Sequence, residues 1–217
     1  MVWSPGSLGA PANVIRRRSA LRIVRIGGSV KFWLEGKAPG VDSVRPARCP
    51  RCSTPGRTAA GSCGLHGHGL RVRQLLGPAV VGGVPVLREV TVRRYQCQQC
   101  RLVMTVTTEA LLPRKHYGAG TIGLALWLWS VTRWPAAKVR EALSPRATIG
   151  DAAMTGWASV KRWASEACSR GLWQAIGTTL ETGLREQTER VMRQLGALGP
   201  SEQPMDVRLW CAAHQSR

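Results

Sequence analysis

Cys49-Pro50-Arg51-Cys52 and Cys97-Gln98-Gln99-Cys100 are the stretches that decide how this chain is read. Two residues between cysteines allow a tight turn to aim both thiolates at one point. Two such turns brought together supply a closed tetrahedral shell of four sulfurs. Thiolates are soft ligands, so the ion expected is zinc, as one structural ion, rather than calcium or magnesium. With all four positions filled by Cys49, Cys52, Cys97 and Cys100, no open coordination position remains for catalysis. Cys63, His66 and His68 lie between the pairs with ligand-like spacing: Cys63 with His66 could replace one cysteine pair or join a second site, for which a fourth ligand is lacking. A histidine hydrogen-bonded on a hairpin is the favoured reading there. Cys168 and Cys211 stand alone. Seven cysteines, an odd number, with four of them in two pairs, fit metal binding in a reducing cytoplasm better than a disulfide framework.

The segment between the pairs carries the strands that return the chain to the first turn. Leu70, Val72 and Gln74 alternate with Arg71 and Arg73. Val84, Val86, Val90 and Val92 share one parity opposite Glu89, Thr91 and Arg93, and Leu102 to Val106 alternates again. Gly77-Pro78 to Gly82-Gly83 is turn chemistry between the first two strands. Upstream, Leu21 to Ile26 predicts a short strand ending at Gly27-Gly28, and Ser29 caps a short helix over Val30–Leu34 or precedes a further strand. After Pro113 the pattern turns helical. Helices are expected over 118–134, 136–142, about 155–168 and 172–198. The expected fold class is α+β: a small β zinc ribbon followed by a helical domain. The expected boundaries are 1–44 (basic arm with a short strand and helix), 45–117 (ribbon), 118–200 (helical domain) and 201–217 (tail).

Charge narrows the partner. The chain has 217 residues, 31 Lys and Arg against 12 Asp and Glu, and a formal net charge of +19. Residues 1–117 hold 19 of the basic groups and only four of the acidic ones. Such an asymmetry points to a polyanion, and a small-metabolite enzyme has little need of it. The longest uncharged stretch, Tyr117 to Thr132, falls short of the ~20 apolar residues of a bilayer span. No basic segment followed by an apolar block opens the chain, so no secretory signal is expected. The expected location is the cytoplasm, in association with the nucleoid.

The runs CPRC, HGHGLRVR, VTVRRYQCQQCRLVMTV and LLPRKHY resemble the zinc ribbon that opens many bacterial insertion-sequence transposases, and related free-standing zinc-ribbon proteins of mobile elements. In that resemblance Cys49, Cys52, Cys97 and Cys100 match the zinc ligands. His68-Gly69 with Arg71 matches the His-Gly-plus-basic segment. Arg93, Arg94 and Tyr95 match the basic-aromatic run, and Leu112-Pro113 to Tyr117 the exit into the helical domain. Trp134-Pro135-Ala136 to Leu143, followed by Thr155 to Trp163, resembles the helix-turn-helix of the same proteins, with Arg162-Trp163 as the basic-Trp pair ending its second helix. Trp157, Val160, Ala164 and Ala167 fall on one face of that helix, and Ala158, Ser159, Lys161, Arg162 and Ser165 on the other. Small and basic outward groups suit entry into a major groove. The connection from Ser144 to Met154 is longer than the usual turn of 3–4 residues.

The resulting expectation is a DNA-binding protein, with Arg71, Arg73, Arg93, Arg94, Lys161 and Arg162 as the contacting residues. The alternative is a protein-interaction module or regulator docking on a transposase or on the transcription machinery. RNA binding is a third and weaker reading. The stripe Leu172, Ile176, Leu180, Leu184, Val191, Leu195 and Leu198 serves either its own domain or a homodimer seam. A transposase needs three carboxylates on a nuclease fold. The aspartates here are Asp42, Asp151 and Asp206, and fewer than 50 residues follow Cys168. A nuclease core, and with it an enzyme, is therefore not expected.

Overall fold

The computed structural model describes residues 22–26, 38–146, 156–169, 172–173 and 183–215. Among them are four strands, β1 (Arg22–Ile26), β2 (Leu65–Gly77), β3 (Val86–Cys97) and β4 (Val103–Thr108). Five helices follow: α1 (Ala119–Ser130), α2 (Ala136–Leu143), α3 (Ala158–Cys168), α4 (Leu184–Ala197) and α5 (Met205–Gln215). The fold is mixed α+β, as the hydrophobic patterning predicts. The expected short helix over Val30–Leu34 and the arm before Arg22 fall outside the described residues.

The strands form one sheet in the order β1-β4-β3-β2. β2 and β3 are a long antiparallel hairpin, with Leu65 opposite Cys97 at one end and Gly77 opposite Val86 at the other. The register shifts between Gly67 and Leu70, where His68 and Gly69 together face Arg94. Gly69, the second of the two, sits at φ +87, a left-handed backbone that glycine adopts without strain. The His-Gly pair is thus the bulge of the hairpin. β4 pairs antiparallel with β3, and β1 adds in parallel to β4 with Ile23 opposite Thr105. That parallel pairing ties part of the expected arm into the sheet.

The alternation expected from Val84 to Tyr95 is only half realised: Val90 and Val92 of β3 are buried, whereas Val86 and Val84, which precedes the strand, are exposed. In β2 the apolar parity is on the surface, with Leu70 and Val72 at 48% and 54% exposure. A strand with one face wet was expected there. The strand stands at the sheet edge and is buried only at its two ends, at Leu65 and from Leu75 to Gly77.

Two hydrophobic clusters fill the molecule. Val44, Leu65, Val90, Val92, Tyr95, Leu102, Met104, Val106 and Leu111 form the one beneath the sheet. The helices form the other around α1, which packs against each of the other four. A helix apolar on every side belongs in such a central position. Leu76 and Leu112 come from the sheet side yet belong to the helical cluster, so the junction is a packed one. It is also hydrogen-bonded, with Leu76 N–H donating to His116 C=O at 2.7 Å and Ala119 N–H to Ala110 C=O at 2.9 Å.

Two helical expectations change. The segment read as a tail holds α5, whose Leu209, Ala212 and Ala213 are buried against the helical core. The helix expected over 172–198 is interrupted, because α4 starts only after Gly183, whose ψ of 153 is extended. Leu172 and Trp173 pack in the same core outside that helix, and Ile176 and Leu180 lie outside the described residues. Val191 and Leu195 of the stripe are buried within the chain's own core, which leaves Leu184 and Leu198 exposed. α2 ends at Leu143 and α3 begins at Ala158, in keeping with the long connection read from the sequence. Each packs on α1. No helix among the described residues is long and apolar enough to cross a membrane.

Candidate metal centre and basic surface

The two Cys-x-x-Cys turns have the same backbone. Ser53 N–H donates to Cys49 C=O at 2.9 Å and Arg101 N–H to Cys97 C=O at 3.0 Å. Cys49 N–H donates to Thr54 C=O at 2.8 Å and Cys97 N–H to Leu102 C=O at 3.0 Å. In both, the residue after the second cysteine is left-handed, Ser53 at φ 59 and Arg101 at φ 57. Two segments of unrelated sequence, one in a loop and one between β3 and β4, therefore close in one geometry.

That geometry brings the thiols together. The sulfur atoms of Cys49, Cys52, Cys97 and Cys100 all lie within 4.8 Å of one another. Cys49 Sγ is 3.7 Å from Cys100 Sγ, and Cys52 Sγ is 3.5 Å from Cys97 Sγ. Sulfurs arranged tetrahedrally at about 2.3 Å from an ion stand about 3.8 Å apart. The four cysteines are close enough to bind one metal ion. Cys63, His66 and His68 stand outside this group, and so do Cys168 and Cys211.

The loop leading into β2 is held tightly to the site. A Cβ on Gly64 would come within 2.2 Å of Pro55 C=O, so only glycine permits that crossing. The Asp42 carboxylate accepts hydrogen bonds from Arg45 at 2.8 Å and Arg57 at 2.6 Å. These bonds hold its carboxyl below the ordinary 3.8. Arg45 also donates to Leu65 C=O and lies over the Tyr95 ring. At the sulfurs themselves, the Thr54 hydroxyl pulls the Cys52 thiol down to about 6, while burial pushes Cys100 up to about 12. A cation among the four would favour the thiolate at every one of them.

The six basic residues expected to touch nucleic acid divide. Lys161 and Arg162 are exposed on α3, whose opposite face (Val160, Trp163, Ala164, Ala167) is buried. Arg71 is exposed on β2. Arg73 is turned inward and donates to the carbonyls of Leu112 and Lys115, both at 3.0 Å. Arg93 donates through Nε to Pro39 C=O at 2.7 Å. Arg94 is half-buried, and its Nε has no hydrogen-bond partner among the described residues. Arg73 and Arg93 thus tie the sheet to its flanking loops.

Sequence reasoning missed the cleft beside α3. About 490 Å³ in volume, it is lined by Arg114, Lys115, Arg140, Arg146 and Arg162, with Glu166 as its carboxylate. Its wall is the aromatic trio Tyr117, Trp157 and Trp163, packed edge to face with centroids 4.9–5.2 Å apart. Lys115 forms an ion pair with Glu166, joining the end of the sheet half to α3. The run Pro113-Arg114-Lys115-His116 was the available signal, but Arg140, Arg146 and Arg162 come from other segments.

Comparison with family models, with curated proteins and with solved structures finds no match to this chain.

Proposed function

We propose that this chain is a zinc-stabilised DNA-binding protein related to the N-terminal regions of insertion-sequence transposases, acting as a binder and not as an enzyme. The observation that carries the proposal is α3, a helix buried on one face that presents Lys161 and Arg162 to solvent beside a cleft lined by basic side chains. A helix so mounted can reach base edges with its cationic side chains while neighbouring cations hold phosphates. The net charge of +19 supports the same partner. For the metal, four cysteine sulfurs close enough to share one ion favour zinc, which would hold the sheet and supply no chemistry.

Charge reversal tests it. Lys161→Glu with Arg162→Glu is expected to weaken a gel shift with mixed-sequence duplex DNA, with the helical circular dichroism unchanged. Undiminished binding by the variant would refute the role given to α3. One observation favours a second reading, protein docking: Leu70, Val72 and Leu87 on the β2–β3 hairpin are 48%, 54% and 51% exposed. Under that reading the double variant keeps its partner, and polar substitution of Leu70 and Val72 loses it.

A further inference from the structure

We propose that the cleft between the exit of the sheet and α3 is a phosphate-binding site, which grips a phosphate group of the nucleic acid held by α3. This rests on the DNA-binding reading for the source of the phosphate, but not for the site itself. Five cations and one carboxylate line a space of about 490 Å³, which is within the range of small-ligand sites. Such an excess of like charge in one concave space raises the local concentration of anions. Arg114, Arg146 and Arg162 are exposed and can reach an entering group. Their present engagements are weak. Arg162 touches Ser159 Oγ at 3.2 Å, Arg146 touches Gln74 Oε1 at 3.4 Å, and Arg114 has no side-chain partner among the described residues. Guanidinium groups match phosphate oxygens in pairs.

The cleft has a packed aromatic wall and carries its own competitor. Tyr117, bonded through its hydroxyl to Ser144 Oγ at 2.8 Å, packs against Trp157 and Trp163, so the wall does not need ordering on binding. Ala158 and Ser159 of the first turn of α3 line the same space, and the N-cap Trp157 makes no side-chain capping bond. The positive end of the helix therefore adds to the side-chain charge. Glu166 neutralises Lys115 in the free protein. An incoming phosphate takes its place opposite Lys115, so Glu166 sets how tightly the cleft binds.

The shared chemistry is a phosphate ester, which a DNA backbone or a free nucleotide could bring. The test measures the zinc-loaded full chain against a fluorescent duplex by anisotropy and against inorganic pyrophosphate by calorimetry. The variants are Arg114→Gln with Arg146→Gln, Glu166→Gln and Lys161→Gln. The site predicts that the double arginine variant weakens duplex binding roughly tenfold or more and lowers the salt slope by about two. It predicts that Glu166→Gln, which removes the competitor, tightens binding several-fold. This gain keeps the test decisive if the arginine variant folds poorly. Pyrophosphate binding that follows the same variants, without any duplex binding, supports the site with a free phosphorylated ligand and refutes the DNA reading. Duplex binding weakened by Lys161→Gln but unchanged by the arginine and Glu166 variants overturns the cleft and leaves the DNA reading standing. Neither ligand responding to any cleft variant also overturns it.

Discussion

Replacing Arg101 by glycine is expected to stabilise the protein, although it deletes a side chain. Arg101 and Ser53 close the two cysteine turns at φ 57 and φ 59. The left-handed region costs an L-residue roughly 1–2 kcal/mol, and glycine escapes that cost. Glycine gives back about 0.5–1 kcal/mol through the entropy of its unfolded chain. The net gain is about 0.5–1 kcal/mol per turn, which for a chain of this size raises the melting temperature by roughly 1–4 °C. Arg101 is exposed and makes no side-chain hydrogen bond among the described residues, so nothing offsets the gain. Valine at the same place keeps the strain and adds a branched Cβ, so Arg101→Val should melt below the wild type. The assay is thermal unfolding of the zinc-loaded protein, paired with the rate of zinc loss to a chromogenic chelator. Slower loss is expected for Ser53→Gly and Arg101→Gly. A lower melting temperature for the glycine variants, or equal behaviour of glycine and valine, would refute the turn geometry on which the metal centre depends.

Three further outcomes follow from particular contacts. Under the proposed zinc binding, stripping the ion would remove about 10–16 kcal/mol of apparent binding energy, as much as a typical domain's whole stability. Hydrogen exchange should then lose protection first at the Ser53 and Arg101 amides, which bond Cys49 and Cys97, and later in α1. Equal protection with and without metal would contradict this. Asp42, held below 3.8 by Arg45 and Arg57, contributes stability that is present above its unfolded value and lost as pH falls through its lower folded value. Carbon-detected titration of its carboxyl should give a midpoint below 3.8, and a midpoint at or above that value argues against the pairing. Gly120→Val directs a Cβ toward the Trp210 ring, which lies 2.5 Å from that position, and should cost about 2 kcal/mol. A melt unchanged by it would show that α5 does not dock on α1.

What the sequence makes legible here is what short-range chemistry determines. The cysteine turns are read from two-residue spacing, β3, β4 and α3 from periodicity within each segment, and α1 from its unbroken apolar run. α3 in particular buries Trp157, Val160, Ala164 and Ala167 as its pattern predicts. The parts that escape depend on distant partners. Nothing local in Arg22–Ile26 says that it will lie parallel to β4. α5 hides because its buried set, Leu209, Ala212 and Ala213, is narrow and small beside Trp210. Arg71 and Arg73 look alike in sequence, yet one faces solvent and the other binds two carbonyls at the junction. Leu70 and Val72 look like core residues and stand on an edge strand. The cleft draws its cations from the 112–117 junction, α2, the turn after it and α3, so no window of sequence contains it.

The most direct test is the affinity of the zinc-loaded chain for a short duplex across a series of salt concentrations. With Arg71, Arg114, Arg146, Lys161 and Arg162 available to phosphates, the logarithm of affinity should fall with the logarithm of salt at a slope of about −4 or steeper. No binding at low salt, or a slope near zero, would contradict the account.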